Sequence, residues 1–350
     1  MTDQAPDQAA ARAAATATGP LLRTDGLTRH FRIGGGISRK TLHAVDDVSL
    51  AIGEREIVAL AGESGSGKST IARLLARIYQ PTSGEIYFQG EPLSGLRSRE
   101  QMLRYRSLVP MVFQDPFSSI NPVFRVSHGI LRGLKLHRPE LSKPQRAAEA
   151  ARVFETVGLT PAAEVLQRYP HELSGGQRQR VGFAQALALR PKLILADEPV
   201  SMLDVSIRIG LLNLMAQLRD SEGVSVLYIT HDIASARYVA DKLIVMYAGQ
   251  IAESGPIEEV LADPRHPYTQ LLLSAVPDPR APLSVAAETD RGEPPKVIDP
   301  APGCRFRWRC PLAIDTCAQV TPVLAELRPG HDAACHVAQQ AGADQVKAFS

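Results

Sequence analysis

The stretch Gly62-Glu63-Ser64-Gly65-Ser66-Gly67-Lys68-Ser69-Thr70 constrains this chain more than any other. It fits G-x-x-x-x-G-K-[ST], a loop that has its meaning only between a strand and a helix. The sequence supplies both. Glu56–Ala61 before it is nearly all apolar, and Ile71–Ile78 after it continues as a helix. The glycines let the backbone curl closely around phosphates and turn several N–H groups inward. The helix N-terminus adds its dipole and its unpaired donors. Lys68 is placed to reach the β and γ phosphates of a nucleotide, and the Ser69 hydroxyl to ligate Mg²⁺.

Such a loop needs a parallel sheet behind it. Leu193–Ala196, Val224–Thr230 and Leu243–Met246 are further apolar runs, with a helix over Ile207–Arg219 between the first two. Strand, helix, strand in this order predicts an α/β fold with a parallel sheet whose ligands sit at the carboxyl ends of the strands. Leu27–Arg32, Val48–Ile52 and Glu85–Gln89 read instead as a small antiparallel layer. From Asp115 to about Arg190 the pattern turns helical. Ala150, Val153, Phe154 and Val157 recur at helical spacing there, and Gly158 stops the run. The chain therefore divides into a disordered tail over 1–20, a nucleotide-binding domain over 21–276 with a helical part over about 115–190, a proline-rich linker over 277–303 and a cysteine-bearing end over 304–350.

Two function classes fall away on composition. Net charge is only +2, so nothing marks a nucleic-acid binder. No apolar run approaches the ~18 residues that a membrane span needs, so any spanning helices must come from other chains. The four cysteines all follow residue 303. With no export signal in the sequence, structural disulfides are not expected, which leaves metal or cluster ligation, or free thiols.

Leu193-Ile194-Leu195-Ala196-Asp197-Glu198 is an apolar strand ending in two carboxylates. Asp197 fits a Walker B aspartate that holds Mg²⁺. Glu198 fits a general base that polarises water for in-line attack on a γ phosphate. Neighbouring strand residues point to opposite faces, so the two can serve one site only because the strand ends there.

Leu173-Ser174-Gly175-Gly176-Gln177 is identical to the signature sequence of ABC ATPases, and the chain resembles that family in the remaining elements too. The resemblance implies a RecA-like parallel core with an antiparallel β layer and a helical subdomain. It also implies that the signature closes on ATP held by a partner ATPase, two subunits sandwiching two nucleotides head to tail. Val112-Phe113-Gln114 resembles the Q-loop, with Gln114 touching Mg²⁺ and the attacking water. Ser201-Met202-Leu203-Asp204 resembles the D-loop, with Met202 where alanine is usual. Thr230-His231-Asp232 resembles the switch, with His231 at the γ phosphate. Phe31 is the candidate for stacking on adenine.

Thr41–Leu50, Phe113–Pro122, Tyr169–Arg180 and His266–Pro277 are similar to the dipeptide and oligopeptide importer ATPases, nearest the second of their two paired ATPases. That implies a heterodimer with a paralogous ATPase, two transmembrane permease chains, an extracytoplasmic substrate-binding protein, and work at the cytoplasmic face of the cell membrane. Nickel, glutathione and oligosaccharides are alternative cargoes, and a soluble ABC ATPase outside transport is the rival class. Cys304, Cys310, Cys317 and Cys335 follow C-x5-C-x6-C-x17-C. By spacing alone a cluster, a zinc ion and unligated thiols stand level, with His331 and His336 able to complete a zinc site. The resemblance of Gly303–Pro311 to the family's C-terminal cysteine motif implies a [4Fe–4S] cluster.

Overall fold

The apolar run that precedes the phosphate loop lies in the middle of the main sheet. The computed structural model describes residues 19–34, 40–115, 120–274, 295, 297–342 and 346–348. Most of the tail over 1–20 and of the linker over 277–303 lies outside these residues.

The first half of the chain gives β1 (Leu22–Ile33), β2 (Lys40–Ile52), β3 (Ile57–Ala61), α1 (Lys68–Leu75), β4 (Ser83–Phe88), β5 (Glu91–Pro92), α2 (Arg99–Leu108) and β6 (Met111–Val112). Strands β2, β1, β4 and β5 form an antiparallel four-stranded sheet in that order, the layer expected from the sequence. Helices α3 (Val126–His137), α4 (Lys143–Thr156), α5 (Ala162–Val165) and α6 (Gly175–Leu187) make the helical part. Two of them open on a capping box. Ser142 and Gln145 close α4, and Ser174 and Gln177 close α6, so side chains satisfy otherwise orphaned donors.

The parallel core follows with β7 (Leu193–Asp197), α7 (Val205–Glu222), β8 (Ser225–Thr230), α8 (Ile233–Val239) and β9 (Lys242–Tyr247). Strand β3 lies between β8 and β9 and pairs in parallel with both. Its run is apolar on both faces because two cores claim alternate residues. Ile57, Ala59 and Ala61 join the core beneath the helical part. Val58 and Leu60 join the core shared with α1 and the antiparallel layer. A strand covered on both faces has no reason to alternate with polar residues.

The sheet does not stop at β9. The hairpin partner β10 (Gln250–Pro256) runs antiparallel to it, followed by α9 (Ile257–Ala262), α10 (Pro267–Ser274), α11 (Asp315–Gln319), β11 (Ala325–Arg328), β12 (His331–Ala333) and α12 (His336–Ala341). Strands β12 and β11 extend β10, giving the eight-stranded order β11-β12-β10-β9-β3-β8-β7-β6. The cysteine-bearing end is thus built onto the edge of the main sheet. Phe306 is buried in the same core as Ile57, and Cys304 and Cys310 pack against that core.

Candidate nucleotide site

The loop between β3 and α1 is shaped by its glycines. Gly67 has φ 105°, and a Cβ there would stand 2.4 Å from the Ala44 carbonyl oxygen. No side chain fits that approach. Ser66 N–H donates to the Glu63 carbonyl at 3.2 Å, and Gly249 N–H donates to the Ser66 carbonyl at 2.9 Å, which ties the loop to the β9–β10 turn. Ser64 and Gly65 are exposed at the tip, while Thr70 is half-buried on α1. Lys68 is buried, and its Nζ donates to the carbonyls of Gly62 at 2.7 Å and Glu63 at 2.8 Å. Burial lowers the Lys68 pKa, while Glu198, Asp197 and Glu63 pull it back up. Asp197 at the end of β7 and Glu198 just after it therefore act on the same ammonium.

How they do so was not legible in the strand pattern. Asp197 is the last residue of β7 and is buried, and its Oδ1 accepts the Ser69 hydroxyl at 3.0 Å. Glu198 has φ 46°, a left-handed turn that a non-glycine residue seldom adopts. That turn breaks the strand's alternation and brings Glu198 back to the face Asp197 serves. Glu198 Oε2 accepts Gln114 Nε2 at 3.0 Å and lies 3.4 Å from His231 Nδ1. The three residues expected to be catalytic thus converge on one oxygen, although they come from segments far apart in sequence.

Burial raises the Asp197 pKa, which the Ser69 bond, Arg73 and Lys68 only partly oppose. A folded acid with a raised pKa holds its proton longer than the unfolded chain does. Stability therefore falls as pH rises between the unfolded and folded pKa values, and the penalty persists at neutral pH. Asp197→Asn is expected to raise the melting temperature of the nucleotide-free chain at pH 7. Its Mg²⁺-dependent turnover should collapse. Calorimetry and phosphate release on the same preparation check both.

The signature lies at the start of α6. The Ser174 hydroxyl accepts Gln177 N–H at 3.2 Å, and Ser174 is exposed while Leu173 is buried. Gly176 packs so closely on α7 that a Cβ would meet Ile207 Cγ2 at 2.4 Å. Among the described residues no hydrogen bond joins residues 173–177 to residues 62–70. Asp204 is exposed at the N-cap of α7, making no side-chain cap bond. Phe31 lies on β1 opposite Leu42, with the Arg29 guanidinium 4.5 Å from its ring centroid and Tyr79 edge-on at 5.5 Å.

None of the four cysteines is in a disulfide, and the fold gathers them together. Cys304 N–H donates to the Cys317 carbonyl at 2.8 Å. Every pair among the four is close enough for each thiolate's charge to be felt by the other. Burial, and then that mutual repulsion, pushes Cys304 and Cys310 up to about 11. Backbone N–H groups of Phe306, Leu312, Val337 and Ala338 donate to the sulfurs of Cys304, Cys310 and Cys335. The histidines considered as zinc ligands have other partners. His331 Nε2 is 2.7 Å from Glu253 Oε1 in a fully buried pair, and His336 Nε2 is 2.9 Å from the Val320 carbonyl. Among the described residues, no three cysteine or histidine ligand atoms of this segment lie within 4.8 Å of one another.

Residues 45–201 match the ABC transporter family, and residues 252–317 match the oligopeptide/dipeptide transporter C-terminal region. The chain is 42% identical over 311 residues to the oligopeptide transport ATP-binding protein OppF of Salmonella typhimurium, covering 87% of this chain and 92% of that one. It is 44% identical over 316 residues to a Brucella ovis protein whose name provisionally makes it a peptide import ATP-binding protein, covering 90% and 97%. The chain belongs to the ABC transporter family. As an ABC ATPase it binds ATP with Mg²⁺. Its cassette also superposes on the dimeric cassette MJ0796 in a post-hydrolysis state bound to ADP and Pi, with TM-score 0.60 and 28% identity over 67% of this chain and 98% of that one.

Two features of this ABC cassette's site had no signal in its sequence. Glu63 N–H donates to the Tyr268 hydroxyl at 2.8 Å, across 205 positions. The Glu63 carboxylate takes a two-pronged pair from Arg309, Nη1 to Oε2 at 2.9 Å and Nη2 to Oε1 at 3.0 Å. Both partners sit in segments that the sequence marks only by family resemblance.

Proposed function

We propose that this cassette hydrolyses ATP to drive import of dipeptides or oligopeptides, working at the cytoplasmic face of the cell membrane beside a paralogous ATPase. The convergence of Gln114 and His231 on Glu198, next to Lys68, Ser69 and Asp197, carries the catalytic half of this reading. Residues 62–70 cradle the triphosphate, with Lys68 on the β and γ phosphates. Ser69, Asp197 and Gln114 hold Mg²⁺. Glu198 takes the proton of the attacking water, which His231 and Gln114 help to place. Phe31 stacks on adenine once Arg29 gives up that face of the ring.

The peptide cargo rests on relatives named for peptide and oligopeptide transport whose likeness extends through the C-terminal region. The partner ATPase is favoured by the exposed signature serine and by apolar side chains left in water beside the D-loop. Met202, Val205 and Ile209 are 63%, 70% and 44% exposed. Apolar exposure concentrated in this way marks an interaction face. For the two permease chains the counterpart is a groove of about 190 Å³ lined by Val112, Phe113, Gln179, Gly182 and Gln185, with Phe124 exposed in the same region of the chain. An extracytoplasmic binding protein completes the importer.

The cysteines fit a [4Fe–4S] cluster. Four thiols that repel one another as thiolates gain from one shared cationic centre, and backbone donors to sulfur suit cluster ligation. A tetrahedral zinc ion would draw its sulfurs to within roughly 4 Å of one another, closer than any three of these stand. When bound, the cluster would tie the C-terminal segment together through Cys304, Cys310, Cys317 and Cys335.

Anaerobic co-purification of the importer tests the whole reading. Two permeases and a second ATPase should be recovered, with peptide-stimulated ATP turnover and four iron atoms on this chain. A homodimer without permeases, or a colourless zinc protein, would count against the importer or the cluster respectively.

A further inference from the structure

The segment between the first two cysteines is short, and its side chains divide their tasks. Cys304 and Cys310 turn to the other cysteines. Trp308 is 81% exposed, and Arg307 donates to the Pro302 carbonyl at 3.0 Å. Arg305, Phe306 and Arg309 all run toward the phosphate loop. Arg305 donates to the Ala248 carbonyl and pairs with Asp46, next to Gly249, whose N–H holds the Ser66 carbonyl of the loop. Phe306 packs on Tyr247 and Tyr268 at centroid distances of 5.2 and 5.5 Å. Tyr268 carries the hydroxyl that accepts Glu63 N–H. Arg309 grips the Glu63 carboxylate, and its own side chain is only 13% exposed.

Glu63 is therefore fixed at three points: its carboxylate by Arg309, its N–H by Tyr268, and its carbonyl by Lys68. We infer that Arg309 is a positioning residue of the ATP site, which braces the phosphate loop from the cysteine segment and makes the loop's grip on nucleotide depend on ligation of Cys304 and Cys310. The physical reason is preorganisation. A loop whose second residue is held in place loses less conformational freedom when phosphate docks. A two-pronged guanidinium–carboxylate pair fixes orientation as well as distance. Ligated sulfurs at both ends of a six-residue step would restrict how far and how often Arg309 moves away from the loop. The inference rests on reading residues 62–70 as the ATP site and, for its second half, on a shared centre at the cysteines.

The test is a double-mutant cycle in the full chain, prepared anaerobically and titrated with a fluorescent ATP analogue. Arg309→Met and Glu63→Gln should each weaken binding by about 5- to 10-fold, and the double variant no further, because one pair is being removed twice. In the assembled transporter KM for ATP should rise by the same factor, with kcat within about twofold. Arg309→Lys keeps the charge without the fork and should recover part of the loss, which also guards against a variant that does not fold. Cys310→Ser should weaken binding as Arg309→Met does, with no added loss when the two are combined.

Wild-type affinity in Arg309→Met, additive losses, or a joint fall of kcat with KM would overturn the positioning role. Wild-type affinity in a Cys310→Ser chain that has lost its iron would overturn the coupling. Lys68→Ala separates these failures from the underlying reading. If it abolishes binding while Arg309→Met does not alter it, the inference fails alone. If Lys68→Ala binds normally, the ATP site itself has been misplaced.

Discussion

Glu198→Gln is expected to lower ATP turnover by about 10²- to 10⁴-fold while leaving ATP bound. The amide has nearly the shape of the carboxylate and can still accept from Gln114 through its oxygen. It cannot take a proton from water. In the proposed site, binding would depend on other groups: the loop backbone, Lys68 and Ser69. The variant should therefore accumulate with nucleotide trapped between it and its partner ATPase, which gel filtration of the co-purified pair with ATP and Mg²⁺ would reveal as a stable heterodimer. Single-turnover phosphate release measures the chemical step directly. Hydrolysis at the wild-type rate would remove Glu198 from the role of base. His231→Ala and Gln114→Ala should cost less, since each acts on the oxygen that Glu198 presents rather than accepting the proton.

Gly67→Ala is expected to remove nucleotide binding and to lower the melting temperature by about 5–10 °C. Its φ of 105° is held by almost no residue other than glycine, at a strain cost of about 1–3 kcal/mol. The added methyl group would also stand 2.4 Å from the Ala44 carbonyl and 3.3 Å from Met246 Cε. Neither the β2 backbone nor the buried β9 can yield without moving the loop. A loss of about 3 kcal/mol converts to roughly that fall in melting temperature for a chain of this size, and in binding to roughly 100-fold. Gly65→Ala is the control. Gly65 has φ 79°, but a Cβ there meets nothing within 4 Å, so only the strain of about 1–2 kcal/mol remains. A Gly67→Ala chain as stable and as tight for ATP as Gly65→Ala would show that the close approach to Ala44 is unimportant.

The elements that were legible beforehand share one property, which is that neighbours in sequence carry the signal. The β3–loop–α1 unit, the helix stopped by Gly158 and the apolar run of β7 can each be read from a dozen residues. Strands β10, β11 and β12 could not. β11 and β12 are short and lie at one end of the sheet, and for all three strands the pairing partners, not their own pattern, make them strands. The same holds at the site. Asp197 and Glu198 were visible as a pair, but the left-handed turn that lets both face Lys68 was not. That His331 Nε2 faces Glu253 and His336 Nε2 faces the Val320 carbonyl had no signal in the sequence either.

Sequence by itself determined the phosphate-binding chemistry of this protein, because backbone freedom at glycine, the charge of Lys68 and the polarity of the β7 terminus are local properties. It also determined which family's motifs the chain carries. Only the tertiary structure decided that Gln114, Glu198 and His231 share one oxygen, that four spaced cysteines come together, and that Arg309 reaches Glu63 across 246 positions. Those contacts depend on how the sheet orders its strands and on where the C-terminal segment returns. Both are set by burial summed over the whole core, which no short window of residues contains.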